Sequence, residues 1–483
     1  MTALQTRRYD ARDQERFAEL SGDYNPLHLD PIAARRQIFG EVVVHGMHAL
    51  LDALETYLAY ARPAAGAALT RLSASFRNPI PLGRTVTTVL VGHDTGEVRL
   101  EVRVADVPAL SLRATLATDG PGPHPGAVPA APSEPTRQPR ERSLVELVEH
   151  CGELGLWIDS EAARANFPHS FETLGAATLA RLLVLTRLVG MDCPGLRSMF
   201  IALDVEFDAS VAPSEVLHYR SGKVSEAASF IQVLLESAGL SGKLDTLCRP
   251  APQAQAGLGI VAERVTPGEF AAQRALIVGG SRGLGEVTAR ILAAGGGQPI
   301  ISYHQGRDDA EALCNEIRAS GATCRSVRCD ITQSEDIERA LDACGDAFSH
   351  IYYFATPPIL KHRGRFDERI YQRFAAVYVD AFGELCSAAL ARGCDGLAVF
   401  YPSSTIIDEE LAGLEEYRAA KLAGEALCER LVRRHPGLRI GVRRLSRVAT
   451  DQTLTLAGTP AADPLDAMLD IVREMNHAPT RRF

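Results

Sequence analysis

Three residues in the run SGDYNPLHLD can carry proton chemistry: Asp23, Asn25 and His28. Gly22 and Pro26 break regular structure around them, so the run reads as a loop. A loop can aim a carboxylate and an imidazole at one substrate. That pair suits the addition of water to an activated double bond and its reverse, in which one group takes a proton from water and a proton is delivered to carbon. Charge that gathers on the substrate carbonyl needs a hydrogen-bond donor. Gly46, in VVVHGM, stands where an apolar helix should begin, and a backbone N–H at that positive end is a candidate oxyanion donor. His45 and His48 beside it read as packing residues.

A second constellation lies in the last third of the chain. In YRAAK, Tyr417 and Lys421 are one helical turn apart and share a face. Ser404 precedes Tyr417 by thirteen residues, at the end of an apolar strand. A phenol with an ordinary pKa of ~10 needs a neighbouring cation to exchange protons near neutral pH. Upstream, RALIVGGSRGLGE spaces Gly279, Gly283 and Gly285 as Gly-x3-Gly-x-Gly after a strand and before a helix. Such glycines let backbone approach a pyrophosphate at a helix N-terminus. Asp330, in CDIT, closes a later strand where a carboxylate can hold an adenine amino group.

The elements that must position these groups fall into three stretches. Residues 1–119 and 141–248 look like copies: DPIAARRQIFG at Asp30 matches DSEAARANFPH at Asp159, and the same offset sets Gly46 on Gly175. Each copy places a long apolar helix (Met47, Leu50, Leu51, Leu54 and Leu58; then Leu179, Leu182, Leu183, Leu185 and Leu188) before strands of alternating apolar residues. The offset sets Gly152, Leu154 and Trp157 opposite Asp23, Asn25 and His28, so the second copy should be inert. Residues 120–140, rich in Pro and Gly, and residues 249–269 read as linkers. Residues 270–483 alternate strands (275–279, 299–303, 324–329, 350–354, 396–401, 439–443) with helices, which implies a parallel sheet covered on both faces.

The first constellation resembles the MaoC-like, (R)-specific enoyl hydratases over residues 9–118. The resemblance implies a hot-dog fold, Asp23 and His28 as the catalytic pair, Asn25 as an orienting residue and Gly46 as the oxyanion donor. Eukaryotic type 2 hydratases resemble a fused pair of such units with one inert half, so a double hot-dog is expected, its second half lining the acyl tunnel. The second constellation resembles the short-chain dehydrogenase/reductases over residues 272–475. That resemblance implies Tyr417 as acid/base, Lys421 lowering its pKa and holding the ribose, and Ser404 orienting a carbonyl. It also implies a dinucleotide cradle of Gly279, Ser281, Arg282, Gly283, Leu284, Gly285, Asp330, Ile331 and Ala355. YFAT (Tyr353–Thr356) and Tyr378 depart from that family's usual residues, and no seventh strand is expected. The segment ISYHQGR lacks the acid usual for NAD; His304, Arg307 and Arg282 favour a 2′-phosphate, hence NADP(H).

Together these imply an α+β double hot-dog followed by an α/β Rossmann-type doubly wound sheet. The expected substrate is an acyl thioester on an acyl carrier protein or CoA: a 3-ketoacyl group reduced to the (3R)-hydroxyacyl form and then dehydrated, or the same steps run oxidatively. A docking protein with an inactive reductase is the alternative from a different class. The net charge of −9 and the lack of any basic block argue against nucleic acid. Ten cysteines without zinc spacing suit a reducing cytoplasm. The start has no apolar core, and the stretch 176–191, with Arg181 and Arg187, is too short and charged for a bilayer. No metal is expected, and a homodimer is.

Overall fold

The computed structural model describes residues 1–63, 67–94, 96–117, 128–208, 210–212, 214–345, 348–359, 365–393, 396–409, 411–456 and 458–476. The chain divides into two compact units: Met1–Ala251 with Thr455–Gly458, and the remainder.

The first unit runs β1 (Thr2–Arg8), α1 (Ala11–Ser21), α2 (Pro26–Leu29), α3 (Pro31–Ala34), α4 (Gly46–Ala61), β2 (Ala68–Phe76), β3 (Thr85–Asp94), β4 (Glu97–Val104), β5 (Val107–Ala117), β6 (Cys151–Gly155), α5 (Ser160–Asn166), α6 (Pro168–Arg187), β7 (Ser198–Phe207), β8 (Val216–Ser225), β9 (Phe230–Ser237) and β10 (Leu240–Cys248). Its strands form one ten-stranded antiparallel sheet in the order β1-β3-β4-β5-β2-β7-β10-β9-β8-β6. Read from either end the order has the same pattern. The seam pairs β2 with β7, from Arg71 opposite Glu206 to Ser75 opposite Ala202.

Helices α4 and α6 pack on each other and share one apolar core with the sheet. The leucines expected on each helix are buried. Helix α6 and the helical turn that follows it make a 25-residue apolar stretch, Pro168–Asp192, long enough to cross a bilayer. Gly175 (φ 76°) breaks it, so the unbroken apolar helix starts at Ala176, where the apolar stretch was expected; it is apolar all round because 89% of its most apolar window lies inside the fold. Arg181 is tolerated there because its guanidinium donates to the carbonyls of Asp208, Val211 and Ala238.

Asp30 and Asp159 play one role in both halves: each Oδ1 accepts from the backbone N–H groups two and three residues on, capping α3 and α5. Gly175, which the offset sets on Gly46, is the non-helical residue (φ 76°) from which the long helix runs, as Gly46 opens α4; the offset fails only ahead of Asp159. Gly152 and Leu154 do not lie in a loop matching Asp23 and Asn25. They lie in β6, which pairs with β8 at one edge of the sheet as β1 pairs with β3 at the other. Between β1 and Asp30 stand α1, the loop and α2; between β6 and Asp159 stand three residues. The second half has lost the segment, and a fixed offset cannot register a deletion.

Residues 120–127 of the expected linker lie outside the described residues. Residues 128–140 form no helix or strand but are pinned, Pro129 O accepting from Ile158 N (3.0 Å) and Arg140 N donating to Met191 O (2.8 Å).

The second unit runs α7 (Leu258–Ala262), β11 (Arg274–Val278), α8 (Gly283–Ala294), β12 (Gln298–Tyr303), α9 (Arg307–Ala319), β13 (Arg325–Arg328), α10 (Ser334–Cys344), β14 (His350–Tyr353), α11 (Glu368–Ala375), α12 (Phe382–Ala391), β15 (Ala398–Ser404), α13 (Glu415–Arg434), β16 (Arg439–Leu445) and α14 (Pro464–Asn476). Helix α7 sits inside the stretch expected as a linker, with Val261 and Val265 in the core. The six strands are all parallel, in the order β13-β12-β11-β14-β15-β16. Successive residues of β11 face opposite cores: Ala275 and Ile277 one, Leu276 and Val278 the other.

Candidate active sites

In the first unit the loop after α1 is built from its ends inward. Helix α1 closes on Gly22 in the left-handed region (φ 74°), which turns the chain sharply. Asn25 then caps α2, its Oδ1 accepting from Leu27 N (3.1 Å), and Pro26 fills the first helical position. This fixes the backbone on both sides of Asp23. The Asn25 amide points the other way, donating to the carbonyls of Gly190 (2.9 Å), Gly195 (3.3 Å) and Leu196 (3.2 Å). Asn25 thus ties the loop to the second half.

Asp23 is 2% exposed. Its Oδ1 accepts from Asn25 N (3.2 Å) and its Oδ2 from the Thr186 hydroxyl (2.6 Å). Burial raises its pKa, opposed by His28, the Thr186 and Asn25 hydrogen bonds and Arg187. His28 donates Nδ1–H to Val43 O (2.7 Å), because a carbonyl can only accept; the neutral ring therefore carries its lone pair on Nε2. Burial, helped by the His45 ring, pushes His28 down to about 3. One ligand atom from each of Asp23, His28 and His45 lies within 4.8 Å of the other two. A raised carboxylic acid and a lowered imidazole converge, so a proton can pass between them at little cost.

His45 packs as the sequence suggests, against Phe17, but it also stacks on His28 with centroids 3.9 Å apart. Its Nδ1 faces Gln14 Oε1 (2.9 Å) and its Nε2 faces Asp23 O (3.1 Å). The neutral ring has one N–H and donates to one of these two carbonyl oxygens, which holds His45 as a buttress behind His28. Gly46 opens α4 immediately after His45, and a Cβ there would meet the Phe76 ring at 2.8 Å. Gln14, Thr186, Arg187 and Gly190 belong to this site as well; nothing in their local sequence marks them.

In the second unit Ser404, Tyr417 and Lys421 come together. Ser404 ends β15, the other two share one face of α13, and all three are buried. Burial pushes the Tyr417 phenol up to about 12, against a hydrogen bond from Ser404 that lowers it. Burial also brings Lys421 down to about 7. Lys421 Nζ donates to Pro402 O (2.7 Å) and lies 3.8 Å from the Tyr378 ring centroid. Tyr378 in turn shares a hydrogen bond with Thr356, so the two departures from the family pattern meet each other.

The glycine loop fits a pyrophosphate. Gly279 (φ 74°) and Gly283 (φ 57°) are left-handed, and a Cβ on Gly285 would run into Gly279 O at 2.5 Å. Gly279 also passes Ala355 N closely, with Ser281, Arg282 and Leu284 in the turn and at the start of α8. Ile331 is buried beside Asp330, whose Oδ1 holds the Thr332 hydroxyl (2.8 Å). Each basic group expected near a 2′-phosphate sits beside an acid: Arg282 with Asp451 (3.7 Å), His304 with Asp330 (3.5 Å) and Arg307 with Glu311 (2.6 Å).

The chain thus carries a carboxylate–imidazole pair beside a helix N-terminus in its first unit, and a Ser–Tyr–Lys set and a glycine-rich turn in the parallel-sheet unit. Residues 2–110 match the MaoC like domain and residues 273–455 match the short chain dehydrogenase family. The chain is a member of the MaoC-like family, joined to a short-chain dehydrogenase/reductase domain.

An (R)-specific enoyl-CoA hydratase of Aeromonas caviae is 33% identical over 115 residues, 24% of this chain and 79% of that protein. A 3-oxoacyl-[acyl-carrier-protein] reductase of Synechocystis sp. is 35% identical over 80 residues, 17% of this chain and 32% of that protein. The crystal structure of a short chain dehydrogenase from Burkholderia cenocepacia in complex with NADP is 21% identical, with a TM-score of 0.40, covering 44% of this chain and 92% of that one.

Proposed function

We propose that the chain is a bifunctional acyl-thioester enzyme. Its first unit is a double hot-dog (1–119 and 141–248) whose first half interconverts (3R)-3-hydroxyacyl and trans-2-enoyl thioesters. Its second unit (270–483) reduces a 3-ketoacyl thioester with NADPH to the same hydroxyacyl intermediate. The thioester is on CoA or an acyl carrier protein. The observation that carries this reading is the trio of Asp23, His28 and His45 at the start of α4, with Asp23 and His45 buried and His28 half-buried. It is supported by relatives named as an enoyl-CoA hydratase, a 3-hydroxyacyl-[acyl-carrier-protein] dehydratase and a 3-oxoacyl-[acyl-carrier-protein] reductase.

In the hydration direction the Asp23 carboxylate takes a proton from a water that the neutral His28 Nε2 also holds. The hydroxide adds to C3, the Gly46 N–H receives the negative charge on the thioester oxygen, and the protonated pair returns its proton to C2. Dehydration is the reverse. In the second unit the nicotinamide, when bound, supplies hydride to the ketone carbon. Gly279, Gly283 and Gly285 would hold the pyrophosphate, and Lys421 the ribose. Ser404 orients the ketone oxygen and Tyr417 gives it a proton.

Two assays on purified variants test the assignment. Asp23→Asn and His28→Ala should each lower crotonyl-CoA hydration by ~10²–10⁴-fold and leave 3-ketoacyl-dependent NADPH oxidation unchanged. Tyr417→Phe should do the opposite. Full hydration by a folded Asp23→Asn protein would sink the first half of the reading. A second reading, a reductase unit that binds NADPH without turning it over, is favoured by one observation: Lys421 is engaged by Pro402 O and the Tyr378 ring. NADPH binding with no oxidation of any 3-ketoacyl thioester would select it.

A further inference from the structure

The half of the first unit that lacks its own catalytic loop grips the loop that remains. Thr186 Oγ1 donates to Asp23 Oδ2 at 2.6 Å. A threonine inside a helix ordinarily bonds back to the carbonyl four residues earlier; this one reaches across to the other half. The next residue, Arg187, is 7% exposed. It lies against Gly22, stacks on Trp157 at 4.1 Å and donates through Nη2 to Gly155 O (2.7 Å). Its Nε and Nη1 are buried with no hydrogen-bond partner. Gly190 passes so close that a Cβ would overlap Asp23 Oδ1.

A carboxylate stripped of water needs donors and a countercharge. The ionisable groups around Asp23 are His28 and His45 from the first half and Arg187 from the second. Both histidines are held neutral by burial, each down to about 3. Arg187 is lowered only to about 9 by the same cause and keeps its charge at neutral pH. Arg187, one residue after the threonine that holds Asp23 and packed against Gly22, thus brings a positive charge to this pocket from the half with no catalytic set of its own.

We propose that Thr186 and Arg187 are positioning residues of the hydratase site, Thr186 fixing the Asp23 carboxylate by a hydrogen bond and Arg187 bracing the loop at Gly22 while adding positive charge that favours the carboxylate form. The proposal rests on the reading of Asp23 as the base. It gives the second half a part in the reaction rather than a purely architectural one.

The test is hydration of crotonyl-CoA across pH by the full chain and its Thr186→Val, Thr186→Ser, Arg187→Met and Arg187→Lys variants, with melting temperatures measured alongside. A hydrogen bond to a charged group is worth about a tenfold change or more. Thr186→Val should therefore lower kcat at least about tenfold with little change in KM. Removing a donor from the charged form raises the carboxyl pKa, so the acidic limb of kcat/KM should move to higher pH. Thr186→Ser should restore both rate and limb. Arg187→Met should move the limb the same way and Arg187→Lys should bring it back.

Wild-type kcat and an unmoved limb in a folded Thr186→Val protein would overturn the proposal, and so would a loss of melting temperature with the limb in place. If Thr186→Val does not fold, an unmoved limb in Arg187→Met overturns it instead. Asp23→Asn separates the two levels. Full activity there defeats the base assignment itself, whereas an inactive Asp23→Asn beside a wild-type-like Thr186→Val defeats only the role of the second half.

Discussion

Replacing Asn25 by alanine should damage fold and chemistry together, by amounts the hydrogen bonds set. The cap on Leu27 N is lost, at ~1 kcal/mol. Of the three carbonyls that Asn25 serves, Leu196 O keeps the Arg249 guanidinium and Gly195 O keeps Ser198 N. Gly190 O depends most on Asn25, and a buried carbonyl left unpaired costs ~1–3 kcal/mol. The sum is ~2–4 kcal/mol. For a unit of this size that is roughly 4–16 °C in the melting temperature of the first transition, at ~2–4 °C per kcal/mol. The loop that carries Asp23 and His28 would be freed at its midpoint, and a misplacement of ~1 Å is enough for ~10²-fold in rate. Asn25→Asp is the sharper variant. It keeps the capping oxygen but turns an acceptor toward three carbonyls, two residues from Asp23. Hydration should fall further than in Asn25→Ala even though the cap survives. Differential scanning calorimetry and crotonyl-CoA hydration read both effects. An Asn25→Asp protein more active than Asn25→Ala would refute the reasoning, since the cap and not the tie between halves would then be what matters.

The remaining predictions are shorter. Gly190→Ala should cut hydration ~10²-fold by displacing the carboxylate it touches, measured as kcat on a variant whose circular dichroism is native. Gly285→Ala should abolish NADPH binding by fluorescence titration and leave hydration intact, because its Cβ would push Gly279 out of the turn. Arg282→Ala should weaken NADPH more than NADH; equal losses would remove the basis for an NADPH preference, and Asp451→Asn, which unmasks Arg282, should strengthen NADPH. Lys421 has a folded pKa of about 7, below its free value of ~10.4. The unfolded chain thus binds the extra proton between those values, and the second unit without cofactor should gain stability as pH rises from 7 toward 10. Lys421→Met should flatten that slope in urea titrations, and an unchanged slope would show that Lys421 is not the group responsible.

Much of this was readable from residue patterns. Most of the six parallel strands announce themselves as short apolar runs followed by glycine or a polar break, and the structure moves no end by more than three residues. Asp30 and Asp159 were legible as a repeat because a helix cap is a local event, set by a side chain and the next three residues. Asp23, Asn25 and His28 were legible for the same reason: the loop's own breakers place them. What stayed hidden is tertiary. Thr186 meets Asp23 across 163 positions of sequence, and in α6 it looks like one more residue of a buried helix. Gly190 is ordinary until the carboxylate it faces is known. The equivalence of β6 with β1 was masked because the chain between β6 and Asp159 had shortened, leaving Gly152 and Leu154 at positions where no loop remains.

The seam between β2 and β7 joins two half-sheets that belong to the same chain. Where such halves are separate molecules, their union is a binding equilibrium, and thinning the solution pulls it apart. Here each half meets its counterpart at an effective concentration fixed by the covalent connection and untouched by volume. The specific hydration rate should therefore stay level as the protein is diluted, far below the point at which a two-molecule site would empty. The two halves are also free to diverge. A change in one need not suit an identical copy of itself, so one side of the seam can give up its loop and keep only the residues that hold the loop of the other.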